Sequence, residues 1–149
     1  MSDQRRHLLG ISGGKDSIYV THQLKHKYGI NPLTVTVRPE PEIDLSDSNL
    51  KPFTYSGFDH IHITPNADEI RELNKFGVIE KGFPYYGWLT AIHTTILRVA
   101  TAFDIRLIIY GEDGEVEYGG SDGTKNRLSY DAAYQKRIYL ESDVLIREL

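Results

Sequence analysis

The sequence predicts an α/β domain built on a parallel, doubly wound sheet. Three observations point there. Short β-rich runs alternate with helical patterns along the first 110 residues, which is the signature of βαβ units. The first run is followed at once by Gly13 and Gly14 and then by a helical stretch. At 149 residues the chain suits one sheet with covering helices, so a single domain over 1–149 is expected.

The first strand is expected at residues 7–12 and the first helix at 16–28. Ile18, Thr21, Leu24 and Tyr28 recur there at helical spacing, and Gly29 suits the left-handed position that closes a helix. Asn31 and Pro32 turn the chain into a continuous, β-branched second strand at 33–37, ended by Pro39 and Pro41. A weak helix is expected over 47–56, interrupted by Pro52. The third strand is expected at 60–64. Asn66 with Glu69 three residues later reads as a capping box, ahead of a helix whose apolar stripe is Ile70, Leu73 and Phe76. A longer helix over 84–103 places Trp88, Ile92, Thr95, Val99 and Phe103 on one face, and a fourth strand follows at 106–110. Residues 111–123 are a glycine- and acid-rich loop. A further helix is expected over 129–140, with another helix start at Ser142 and Asp143. The apolar Val144, Leu145, Ile146 and Leu149 then have nothing after them to pack against, so a truncated protein or a swapped contact is expected.

Composition narrows the functional classes. A net charge of -4 with no basic cluster beyond Arg5 and Arg6 gives no sign of a nucleic-acid partner. The absence of cysteine removes disulfides, thiolate zinc sites and a cysteine nucleophile. No apolar run approaches the roughly 18 residues of a membrane span, and the start lacks a signal-peptide core. A cytoplasmic protein without a membrane partner is expected.

The chemistry is carried by Ser12, Gly13, Gly14, Lys15, Asp16 and Ser17, between a buried strand and a helix. The Walker A spacing fails twice, because Leu9 stands where its first glycine belongs and Asp16 where its hydroxyl residue belongs. The dinucleotide fingerprint fails as well, since Gly10 is followed by Ile11, Ser12 and Gly13. Two glycines nevertheless let backbone N–H groups turn inward as an anion nest at a helix N-terminus. Ser12 and Ser17 can donate to phosphate oxygens, Lys15 supplies a full charge, and Asp16 suits a magnesium ligand or a helix cap. The plain alternative is a strand–turn–helix connection with a Ser/Asp cap.

Residues 12–17 resemble the SGGxDS signature of the PP-loop ATP pyrophosphatases, a superfamily of adenine nucleotide alpha hydrolase-like, Rossmann-like fold. A narrower resemblance is to the N-acetyl sugar amidotransferases of lipopolysaccharide O-antigen biosynthesis. It rests on GISGGKDS at 10–17, GINPLTVTV at 29–37 and IIYGEDGEVEYGG at 108–120. The last is similar to that family's GEN-x-x-x-EYGG segment, with Asp113 in place of Asn. The resemblance implies a sheet order 3-2-1-4, with the fourth strand's carboxyl end facing the loop across the switch-point crevice. It implies ATP and Mg²⁺ as cofactors and nucleotide contacts from Ser12, Gly13, Gly14, Lys15, Asp16, Ser17, Val37, Gly111 and Glu112. Lys15 and Asp16 are the implied catalytic residues.

The implied reaction is attack of an acetamido oxygen of a UDP-N-acetyl sugar on the α-phosphorus of ATP. A separate glutaminase subunit would supply the ammonia that displaces AMP, and a homo-oligomer is possible. Full-length members carry cysteine pairs that this chain lacks, and residues 83–88 read FPYYGW, so zinc is not carried over. The C-terminal part of the family is expected to be missing.

Other candidates are weighed against plain structural roles. Glu112, Asp113, Glu115 and Glu117 could hold magnesium or form a solvated acidic loop. Glu112 and Glu117 are preferred because they lie nearest the motif's glycines. Tyr118 could touch a ring or anchor its loop. Tyr85, Tyr86 and Trp88 are assigned to core or interface, His22 and His26 to a solvated helix face, and Lys125 and Arg127 to the surface. The rival functions are a tRNA-modifying or other small-molecule adenylating enzyme, and a nucleotide-binding subunit without catalysis. The lack of cysteine and of a basic patch speaks against tRNA thiolation.

Overall fold

Four short runs of apolar and β-branched residues make the sheet. In the computed structural model, which describes residues 7–38, 53 and 55–111, these are β1 (His7–Gly10), β2 (Leu33–Val37), β3 (His60–Ile63) and β4 (Leu107–Tyr110). All pair in parallel, in the order β3-β2-β1-β4. That is the order the resemblance implied. The described residues all fall within the unit Met1–Glu112, so the expectation of one domain over 1–149, and the helices expected beyond 111, extend outside them.

The alternation of side chains along each strand feeds two cores. On one face Leu8, Leu33, Val35 and Val37 pack with Ile61, Ile63 and Ile108 against Ile92, Ile96, Val99 and Ala100 of α3 (Tyr86–Ala102). On the other face Leu9, Ile11 and Ile109 meet Val20 and Leu24 of α1 (Lys15–His26), together with Phe53 and Phe58. Helices on both faces of a parallel sheet make the fold doubly wound and Rossmann-like.

β2 is buried at every position, yet two of its residues are threonines. Their hydroxyls are satisfied: Thr34 Oγ1 donates to the Asp59 carbonyl at 2.9 Å, and Thr36 Oγ1 to the Ile11 carbonyl at 2.9 Å. The second bond ties β2 to the residue that leads from β1 into the glycine turn.

α2 (Ala67–Lys81) begins as expected. The Asn66 side chain accepts from the N–H groups of Asp68 at 2.9 Å and Glu69 at 3.3 Å. α2 packs on α3, and small residues permit the close crossing. A Cβ on Gly87 would stand 2.7 Å from the Ile70 carbonyl oxygen and 2.8 Å from Leu73 Cβ. At this crossing Asn74 Oδ1 accepts from the backbone N–H of Gly87 at 2.9 Å and of Trp88 at 3.3 Å. It thereby caps α3 from a neighbouring helix, because Tyr85 supplies no cap of its own. Asn74→Ala should cost about 0.5–2 kcal/mol, the range for a lost N-cap, and lower Tm by several degrees. An unchanged melting curve would show that this inter-helix cap contributes nothing.

Some expected boundaries and faces shift. β1 ends at Gly10, two residues early, although the Ile11 N–H still reaches the Val35 carbonyl at 2.8 Å. α1 ends at His26, so Tyr28 leaves the helix path and is exposed, while Gly29 adopts the left-handed conformation (φ 66°). Phe103, expected on the buried stripe of α3, lies past its end and is 47% exposed. That helix is buried on two sides, by the sheet and by α2, so its contact surface is not a single stripe. Ser56, expected in a helix, stands in a turn before Gly57 (φ 81°). No helix among the described residues is long and apolar enough to cross a membrane.

Candidate functional site

The turn from β1 into α1 needs backbone that only glycine supplies cheaply. Gly13 sits at φ 82°, a region that L side chains rarely adopt. Gly14 is the N-cap of α1 in extended conformation, and no side chain closes the cap. Around this turn the two serines are coupled. Ser12 Oγ accepts from the Gly14 N–H at 3.3 Å, Ser17 Oγ donates to the Gly14 carbonyl at 3.1 Å, and the two hydroxyl oxygens lie 3.4 Å apart. Ser17 is buried and Ser12 is exposed, so the pair runs from the floor of the turn to its lip.

Lys15 and Asp16 open the helix and point outward, with side chains 88% and 62% exposed. Lys15 Nζ meets both Asp16 carboxylate oxygens at 2.8 Å. Asp16 therefore spends its carboxylate on Lys15, and not as the side-chain cap that the plain reading of this segment allowed. An exposed pair of this kind contributes little to stability and is readily exchanged for a bound anion and cation.

The fourth strand delivers a residue from far along the chain to this turn. A Cβ on Gly111 would stand 2.5 Å from Ser17 Cα and 2.9 Å from Ser17 N. Backbone thus lies directly on backbone where β4 leaves the sheet beside the loop. Of the expected ligand residues, Ser12, Gly13, Gly14, Lys15, Asp16, Ser17 and Gly111 come together at this one edge. Val37 ends β2 at the same edge, but its side chain is committed to the core beneath α3, leaving only its backbone for a ligand. Glu112, Asp113, Glu115, Glu117, Tyr118, Lys125 and Arg127 lie outside the described residues.

No group of three or more His, Asp or Glu among the described residues could hold a metal ion. Among the described residues, Asp16 is the one that offers a carboxylate at the loop. A single exposed carboxylate suits Mg²⁺ that is held mainly through phosphate oxygens and water, and does not suit a dedicated protein cage.

The remaining assignments divide. Tyr86 is buried with its ring 5.8 Å from Phe76, whereas Tyr85 is exposed. His22 and His26 are exposed, with ring centroids 4.3 Å apart. The shallow hollow of about 300 Å³ along α1, lined by Tyr19, Val20, Gln23, Leu24, Lys27 and Tyr28, includes no residue of the 12–17 turn.

Sequence reading missed two features of this edge. Arg38, directly after β2, is buried and held by its N–H to the Ile63 carbonyl at 3.0 Å. A charged residue directly after a continuous β-branched strand was the available signal. His93 of α3 meets Tyr110, the last residue of β4, with ring centroids 5.6 Å apart, and nothing local marked either one.

Burial lowers the pKa of His93 below its ordinary 6.5, and burial with the neighbouring His62 lowers that of His60. Both are more basic in the unfolded chain, which therefore binds more protons as the pH falls below about 6.5. Stability should be full above that value and decline as the pH falls through the depressed folded pKa values. Urea midpoints measured from pH 7.5 to 5 should fall accordingly, and less steeply in a His93→Gln variant. A flat profile would contradict this.

The fold and this edge define an α/β, Rossmann-like domain with a glycine turn at the head of its first helix. No protein-family model matches the chain, and no curated protein matches it significantly. Among solved structures it is similar to the predicted subunit of tRNA methyltransferase from Methanocaldococcus jannaschii, with a TM-score of 0.53 and 25% identity. That alignment covers 90% of this chain and 63% of the other, so the chain spans under two thirds of that structure's length.

Proposed function

We propose that this domain binds ATP on residues 12–17 and presents its α-phosphorus to a substrate oxygen, so that pyrophosphate leaves. The observation that carries this reading is the Gly13 turn at φ 82° with the Ser12 and Ser17 hydroxyls beside it at the start of α1. Inward-turned N–H groups and a helix N-terminus stabilise phosphate charge. Lys15, exposed at the lip, exchanges Asp16 for phosphate, and Asp16 is then available to Mg²⁺. The ion would help neutralise the charge that grows on the departing pyrophosphate. Catalysis by these residues is orientation and charge stabilisation.

The acceptor we propose is the acetamido group of a UDP-N-acetyl sugar, on the strength of the sequence resemblance. Its oxygen attacks the α-phosphorus to give an O-adenylate, and ammonia then displaces AMP. With no cysteine among these 149 residues, the ammonia in this scheme comes from a glutaminase outside them, and a separate subunit is our proposal. A second reading, an RNA acceptor, draws support from the described tRNA methyltransferase subunit to which the chain is similar.

The test is nucleotide product analysis. With ATP, Mg²⁺, ammonia and UDP-N-acetylglucosamine or an alternative acceptor, AMP and pyrophosphate are expected in equal amounts. Stoichiometric ADP and orthophosphate would overturn the proposal for either acceptor. Lys15→Ala should lower turnover by more than it weakens ATP binding, as expected for a contact that strengthens in the transition state.

A further inference from the structure

The solvent side of α1 carries a pair of imidazoles. His22 and His26 are four residues apart on this helix, a spacing that sets two side chains one above the other on a single face. Both residues are exposed, and their ring centroids stand 4.3 Å apart with 35° between the ring planes. The cations beside them are drawn elsewhere. Lys25 Nζ donates to the Ser56 carbonyl at 2.7 Å and lies 4.3 Å from the centre of the Phe58 ring. Lys27 Nζ lies 5.2 Å from the centre of the Tyr28 ring. Lys15, two turns before His22, meets the Asp16 carboxylate. Two nitrogen ligands thus share a face from which the neighbouring positive charges are turned away.

We propose that His22 and His26 form a chelating site for a borderline divalent ion of the nickel, copper and zinc class. The same spacing of two histidines on one helix face supplies two of the ligands in helical zinc motifs. Two imidazole nitrogens bound at about 2.0–2.1 Å lie roughly 2.9–3.4 Å from each other, for ligand angles between about 90° and 110°. Exposed rings whose centroids are 4.3 Å apart reach that separation by side-chain rotation, and the helix has already fixed the backbone beneath them. With no thiolate in the sequence, imidazole is the donor here that this class of ion prefers. The chain supplies two ligands, in keeping with the absence of any group of three among the described residues. Water or an incoming donor atom completes the shell, so the ion is exchangeable, unlike that of a closed four-ligand structural site. Magnesium takes oxygen ligands, so the pair differs in chemistry from the Mg²⁺ proposed at Asp16. The inference does not rest on the ATP reading.

The experiment is titration of the full chain with Ni²⁺ at about pH 7.5, where free imidazole is mostly neutral, followed by ¹H–¹⁵N NMR and by thermal melting. The paramagnetic ion should broaden the amide signals around His22 and His26 first. Tm should rise with nickel concentration, because the helical pair exists only in the folded chain. His22→Ala and His26→Ala should each weaken nickel by at least about tenfold, since the second nitrogen then no longer binds as an intramolecular ligand. Both positions are exposed and alanine is the better helix former, so these variants should keep the fold. A double variant, His26→Ala with Lys27→His, restores the number of histidines but turns the second imidazole about 140° around the helix from the first. It should bind nickel no better than His26→Ala alone. Wild-type affinity in a single variant or in the double variant would overturn the chelate. Broadening centred on another histidine, or no nickel binding by the wild type, would overturn it as well.

Discussion

Replacing Gly13 by valine is expected to abolish ATP binding while leaving the sheet in place. The residue sits at φ 82°, where a β-branched side chain is strained by about 1–3 kcal/mol. It is also buried at the floor of the turn, so an isopropyl group would occupy the nest itself. The chain can relieve the strain only by unwinding the turn, which would displace the backbone N–H groups that the phosphate reading requires. Either way the affinity should fall by at least about a hundredfold, the equivalent of some 2.7 kcal/mol. Gly29 provides the control. It too has a positive φ, 66°, but no atom stands within 4 Å of its added Cβ. Gly29→Ala should therefore cost about 1–2 kcal/mol of stability and leave nucleotide affinity unchanged. Titration calorimetry with ATP and Mg²⁺ on both folded variants decides the point. Equal affinities for Gly13→Val and the wild type would end the phosphate-loop reading.

Gly111→Ala is expected to be nearly as damaging, for a reason that lies in packing and not in conformation. The new methyl would stand 2.5 Å from Ser17 Cα and 2.9 Å from Ser17 N. These are backbone atoms at the first turn of α1, so no side chain can swing aside to make room. Either β4 or the loop must shift by a fraction of an ångström to about 1 Å. Misplacement on that scale costs on the order of a hundredfold in a site that works by orientation. ATP binding or turnover should fall accordingly, with circular dichroism showing retained secondary structure. Gly10→Ala makes a useful comparison, because its added Cβ meets chiefly the end of the Ile96 side chain, at 2.8 Å. That contact can yield by a change of rotamer, so the effect should be smaller. Full ATP affinity and turnover in Gly111→Ala would mean that the approach of β4 to the loop is incidental.

What the amino-acid sequence determined by itself is local. The glycine turn at Gly13, the left-handed Gly29, the Asn66 cap and the buried β-branched run of β2 depend on conformations and hydrogen bonds within a few residues, and such preferences are written in residue type. Once the runs are placed as strands, the alternation that builds two cores follows from the two-residue period of the pleat. Tertiary structure decided everything that depends on which surfaces meet. α3 turned its contact surface because α2 covers a second side of it, and no periodicity within one helix can announce a neighbour. Asn74 became a cap for a helix other than its own. The resemblance implied Gly111 as a nucleotide contact, but its close packing on Ser17 emerged only when β4 was laid beside β1. His93 and Tyr110 were an unremarked helix residue and a strand end until parallel pairing set them at one edge. A ligand site at the carboxyl end of such a sheet is assembled from segments that are distant in the chain. The glycine turn can be read from six consecutive residues, whereas the edge it shares with Gly111 exists only once the strands are in register.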